Sequence, residues 1–116
     1  MTVFGFVSVA PVRKGSMAED VADAVAAIDA SPVSYETTPM GTVIEAENVG
    51  DLFDAVEAAH RAVDADRVST YLKIDDKRTV DQHAGEKVAD VETALGHEAK
   101  RFPGAVTHSD DETSGD

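Results

Sequence analysis

Glu45 has the most unusual setting of any carboxylate in this chain, flanked by Ile44 and Ala46 in a short run of alternating residues. An isolated charge on a partly dry face is costly, so such a side chain needs a cationic partner or a ligand. Lys73, in a second alternating run, offers the first possibility as a plain structural ion pair. A bound small molecule offers the second, because perturbed carboxylates also mark binding sites. On the residues alone the two readings stand level.

Other candidate groups carry less. Asp75 and Asp76 are adjacent, so on a strand they point to opposite faces and read as a charged strand end. His60, His83, His97 and His108 are scattered without the close pair a zinc site wants, and they read as surface histidines. Arg13-Lys14-Gly15-Ser16 precedes a helix start, where free N–H groups favour anions, but a solvated loop is the simpler reading. There is no cysteine, which excludes disulfides, thiolate metal sites and cysteine nucleophiles. No glycine-rich phosphate loop, nucleophile elbow or kinase signature is present. The residues show no catalytic constellation.

These groups need elements to hold them. Val3 to Ala10 (VFGFVSVA) is rich in Val and Phe and ends at Pro11, which predicts a strand apolar on both faces. Ser16-Met17-Ala18-Glu19 is a capping box, followed by Met17, Val21, Ala24, Val25 and Ile28 at helical spacing. That helix must stop by Ser31-Pro32. Val33 to Thr38 and Thr42 to Glu47 form two short extended stretches around the turn Pro39-Met40-Gly41. Asn48 caps a second helix with the stripe Leu52, Val56, Ala59 and Val63. Val68, Thr70, Leu72 and Ile74 then alternate with Ser69, Tyr71, Lys73 and Asp75, the period of a half-buried strand. Thr79 and Gln82 suggest a further capping box, with Ala84, Val88, Val91, Leu95 and Phe102 as a third stripe. From about Thr107 the chain has four acids, no base and no large apolar side chain, which predicts a disordered acidic tail over residues 107–116.

The predicted fold is therefore α+β, a ferredoxin-like βαββαβ sandwich over residues 1–106 with an extra C-terminal helix. Its four-stranded antiparallel sheet carries helices on one face, with the first and last strands expected at the centre. Alternation places Phe4, Phe6, Ser8, Val43, Glu45, Tyr71 and Lys73 on the uncovered face. A face of that composition suits an interface or a ligand floor, and it predicts self-association.

Charge bounds the partners. Among 116 residues, 23 are acidic and 10 basic, a formal net charge of -13. A polyanion is repelled by nucleic acid and by anionic membranes. No apolar run approaches the roughly 18 residues of a membrane span, and no leader is evident, so a cytoplasmic location is expected. Small apolar residues with so many carboxylates also suggest a high-salt cytoplasm, where counterions screen the repulsion.

Three segments, FGFVSVAPV, YETTPMGTVIEAE and VSTYLKIDDKR, resemble the thiamine-binding-protein-like (YkoF-related) family, over roughly Val3 to Val91. The most specific pieces are PMGTVIE and KIDDKR. Ala46 stands where relatives often have Gly, and Lys77 where they often have Arg. The acidic tail lies outside the family pattern. The resemblance implies a ferredoxin-like domain that binds thiamine or its hydroxymethylpyrimidine part, forms homodimers or homotetramers, and is not an enzyme. It implies no required cofactor and no metal, and places Ser8, Thr37, Met40, Gly41, Thr42, Glu45 and Lys73 near the pocket. Within that reading Glu45 would accept from the aminopyrimidine, while Phe6 or Tyr71 would stack on the cationic thiazolium.

The expected function is non-enzymatic binding for vitamin salvage, buffering or sensing. The alternatives are an assembly module working through its sheet, and an enzyme on a small anionic metabolite at Arg13 to Ser16. The charge excess yields its own test. If counterions hold the fold together, the melting temperature rises steeply between low and molar salt. A midpoint that ignores salt removes the high-salt reading.

Overall fold

The computed structural model describes residues 2–79 and 81–103. Seven elements follow in order: β1 (Val3–Pro11), α1 (Ala18–Asp29), β2 (Ser34–Thr38), β3 (Gly41–Ala46), α2 (Val49–Ala62), β4 (Val68–Asp75) and α3 (Ala84–Leu95). The described residues fall into two units, divided between Ala84 and Gly85. The first holds the whole sheet with α1 and α2. The acidic tail predicted for residues 107–116 lies outside the described residues.

The sheet is four-stranded and antiparallel, in the order β2-β3-β1-β4. This is the ferredoxin-like arrangement, with one correction: β1 and β3 are central, and the last strand, β4, is an edge. The two βαβ crossovers explain it. Each connects parallel strands and leaves room for one strand between them. Thus β3 sits between β1 and β2, and β1 between β3 and β4.

The faces follow from register. Val3, Val7 and Val9 of β1, with Ile44 and Ala46 of β3, form one apolar core cluster with Ala24 and Ile28 of α1 and Leu52, Val56 and Ala59 of α2. Phe4 pairs with Glu45 and Asp75, Phe6 with Val43 and Lys73, and Ser8 with Tyr71. These residues lie on the opposite face, as alternation predicts. Phe4 and Phe6 are half-buried rather than bare.

Helix starts test the capping arguments. Asn48 caps α2 as expected, its side-chain oxygen accepting from the Asp51 N–H at 2.8 Å. The Ser16 box is different: α1 begins at Ala18, and the Ser16 hydroxyl accepts from the Ala18 N–H at 3.3 Å. Thr79 sits in a turn and α3 starts only at Ala84, so the second predicted box does not open that helix. Gly96, at φ +93°, ends α3 as only glycine does comfortably, leaving Phe102 off its stripe. Val88, Val91 and Leu95 are exposed along α3. Among the described residues no helix is long and apolar enough to cross a membrane.

One contact sets how closely α2 lies on the sheet. A Cβ built on Gly5 would come within 2.6 Å of Leu52 Cδ1, and Leu52 is fully buried. Gly5→Ala should therefore destabilise the fold by about 1–3 kcal/mol, the usual cost of overpacking. Denaturant unfolding measures this, and an unchanged midpoint would show that α2 is free to shift.

Candidate ligand-binding cleft

The β1–β3 ladder ends at the Val7–Thr42 pair, whereas β1 runs on to Pro11. Beyond that pair Ser8, Val9 and Ala10 have no partner in the β1–β3 ladder. The β2–β3 turn on one side and the first half of α1 on the other enclose the space left. The resulting cleft has a volume of about 230 Å³. Its apolar wall includes Met17, just before α1, with Val21 and Val25 of α1, and its polar rim runs from Thr37 to Thr42.

The α1 stripe shows why the cleft forms. Ala24 and Ile28 are buried against the sheet, but Met17 and Val21 remain 42% and 37% exposed. Their apolar surface looks into the cleft instead of the core. At the rim, Thr37 Oγ1 and Thr42 Oγ1 lie 3.2 Å apart, and Thr42 is buried. The Thr38 hydroxyl donates to the Gly41 carbonyl at 2.7 Å and accepts from the Met40 N–H at 3.2 Å, which fixes the turn. No residue of the lining carries a charge.

The nine residues expected at the site divide between two places. Ser8, Thr37, Met40, Gly41 and Thr42 line the cleft. Phe6, Tyr71 and Lys73 lie on the open sheet face, where the Phe6 and Tyr71 rings meet edge-on with centroids 6.3 Å apart. Glu45 is on that face too, but next to the chain that follows β4. The wall residues Met17, Val21 and Val25 were hidden in the sequence because an apolar stripe reads as core.

Glu45 does not pair with Lys73. The strand β1 separates β3 from β4, and the carboxylate finds its partners elsewhere. One oxygen accepts from the Ala84 N–H at 2.5 Å, and the other lies 2.9 Å from His83 Nδ1. Nearby, the Thr2 hydroxyl donates to Asp81 at 2.5 Å. Together these contacts carry residues 81–84 from the start of β1 across to β3. Burial pushes the Glu45 carboxyl up, but the Ala84 N–H and His83 outweigh it, and the net shift is downward. The Thr2 hydroxyl likewise holds Asp81 below its usual range. Nothing in the sequence brings His83 to Glu45, 38 residues away.

The remaining candidates have ordinary structural partners. Arg13 pairs with Asp20 and donates to the carbonyls of Lys14 and Ser16, which occupies the cation of the alternative, anion-binding reading of this loop. His60 Nδ1 lies 2.6 Å from the Thr70 hydroxyl. His108 lies outside the described residues. Among the described residues no group of three or more His, Asp or Glu is arranged to hold a metal ion.

The family model for thiamine-binding proteins matches residues 6–92, which include all nine candidates. The chain belongs to the thiamine-binding protein family. A UPF0045 protein of Methanothermobacter thermautotrophicus is 46% identical over 83 residues, 69% of this chain and 84% of its own. Among solved structures, a hypothetical protein of Methanocaldococcus jannascii matches with a TM-score of 0.71 at 32% identity, covering 82% of this chain and 96% of its own. A candidate thiamine biosynthesis/salvage protein of Thermotoga maritima matches with a TM-score of 0.69 at 26% identity, over 78% and 99% of the two chains.

The Glu45 contacts predict a pH dependence. A carboxyl whose folded pKa lies below its unfolded value stabilises the fold above the unfolded value, near 4.5. That stabilisation disappears as pH falls through the folded value. Glu45→Gln should thus melt lower than wild type at neutral pH, and the gap should close as pH falls below 4.5 and through the folded value. A gap constant with pH would show that the charge contributes nothing.

Proposed function

We propose that this chain binds the aminopyrimidine part of thiamine in the cleft, as free hydroxymethylpyrimidine or as thiamine, without transforming it. One observation carries the reading: the structure gathers Ser8, Thr37, Met40, Gly41 and Thr42 along a single concave surface. The family to which the chain belongs is named for thiamine binding, and the Thermotoga maritima relative for thiamine biosynthesis or salvage. Those names support the ligand class.

Size and chemistry narrow it. A cleft of about 230 Å³ is smaller than the roughly 300–1,000 Å³ of drug-sized sites. It suits one heteroaromatic ring inside, with any second ring at the Met40 rim. Thr37 and Thr42 can donate to ring nitrogens and accept from the exocyclic amine. Met17, Val21 and Val25 supply the apolar face. In this reading Glu45 is a fold contact rather than the pyrimidine's anchor, and Phe6, Tyr71 and Lys73 serve the open face.

That face supports a second proposal, homodimers or homotetramers formed through the sheet. Tyr71 is 60% exposed there, and burying a large side chain contributes roughly 1.5–3 kcal/mol. Sedimentation should show self-association in wild type and its loss in Tyr71→Asp; a wild type that stays monomeric ends this proposal.

Calorimetric titration with hydroxymethylpyrimidine and with thiamine tests the binding reading. Thr42→Val keeps the shape and removes the hydroxyl, which should weaken binding roughly two- to tenfold. Full affinity in a folded Thr42→Val variant would move the ligand out of the cleft. Absence of binding to either compound would remove the ligand class.

A further inference from the structure

The turn that forms the cleft's rim rests on a ring from the other side of the sheet. Register puts Gly41 next to the open face, beyond the Val7–Thr42 pair. A Cβ built there would lie 2.7 Å from Phe6 Cζ, 3.1 Å from Phe6 Cε1 and 2.8 Å from the Val7 carbonyl oxygen. Such distances leave no room for any side chain. The Gly41 backbone is therefore seated directly on the tip of the Phe6 ring, with the β1 backbone closing the other side. Its φ of +156° is likewise one that L side chains rarely adopt.

Phe6 is itself fixed. Tyr71 meets it edge-on at an interplanar angle of 68°, and Val43 and Lys73 flank it in register. The bonded neighbours of Gly41 are Met40 and Thr42, and both line the cleft. A contact series thus runs from Tyr71 through Phe6 to Gly41, and from there into the rim.

We propose that Phe6 is a positioning residue for the cleft: its ring props the β2–β3 turn at Gly41 and so sets where Met40 and the Thr42 hydroxyl stand. Phe6 does not touch the ligand in this account. Its effect on affinity rests on the binding reading above, whereas its effect on the turn does not. Removing the ring leaves the turn without its support, and the rim then samples positions in which the threonine hydroxyls no longer converge.

The test separates the two claims by reading the ligand-free protein first. In Phe6→Leu, amide NMR shifts and hydrogen exchange of Met40, Gly41 and Thr42 should change, whereas those of α2 stay as in wild type. Affinity for hydroxymethylpyrimidine should then fall roughly two- to thirtyfold, the range seen for residues that act through others. Turn amides that remain as in wild type in folded Phe6→Leu overturn the proposal. So does a perturbed turn in a variant that binds with full affinity. Moved turn amides in a protein whose wild type binds nothing would uphold the prop and remove only the binding reading. If Phe6→Leu does not fold, Tyr71→Ala removes the neighbouring ring from an exposed position on an edge strand. It should move the same three amides, with Tyr71→Phe restoring them, and turn amides that stay fixed in Tyr71→Ala overturn the proposal equally.

Discussion

Strand β1 is hydrogen-bonded on both sides and packed against α1 and α2 on one face, and the sheet unit depends on how closely its neighbours approach it. On the helix face, Gly5 has no side chain, so Leu52 seats against the backbone and draws α2 down onto the sheet. On the opposite face the missing side chain is on the neighbouring strand, at Gly41, and the β1 residue Phe6 fills the space. Gly5 thus sets how closely α2 lies on the sheet, and Gly41 how closely the β2–β3 turn lies on β1. The core is otherwise built from small residues, mainly Val and Ala, with Ile28, Ile44 and Leu52 as its largest fully buried side chains. A core of small side chains has few long, flexible groups to absorb a misfit, so the two close contacts carry more of the specificity.

The cleft follows from a mismatch in length. β1 has nine residues and β3 six, so β1 outruns its central partner at one end. Nothing in the sheet then covers the first half of α1, whose apolar stripe continues past the point where the core stops. The stripe persists because the same 3.6-residue period serves both the core and the cleft wall. Helix α1 needs no separate signal for its two tasks.

That economy explains what could be read from the sequence. Strand and helix types, the Asn48 cap, the α2 stripe and the inward and outward faces of β1 all follow from local patterns, and the structure bears them out. The strand order required more than pattern: placing β4 at an edge depends on how two crossovers interleave, which no local period encodes. The partners of Glu45 were illegible for a related reason. Alternation correctly put the carboxylate on the open face, but the groups that reach it, His83 and the Ala84 N–H, come from a segment with no periodicity. Gly41 was readable as a turn residue. That it also makes room for Phe6 depends on a pairing across strands.

The charge distribution around the cleft bears on what can enter it. The protein carries a formal net charge of -13, yet every residue lining the cleft is uncharged. The acids crowd instead onto the helices, as with Glu19, Asp20 and Asp23 on α1 and Asp51, Asp54 and Glu57 on α2. The one nearby arginine, Arg13, is held by Asp20. An anion approaching the cleft therefore meets a repulsive field outside and finds no cation within to offset the loss of its water. A neutral ring meets neither penalty, and a cationic group held at the rim is favoured by the same field that excludes the anion. The uncharged lining thus leaves that field uncompensated inside the cleft, with no charged side chain of its own.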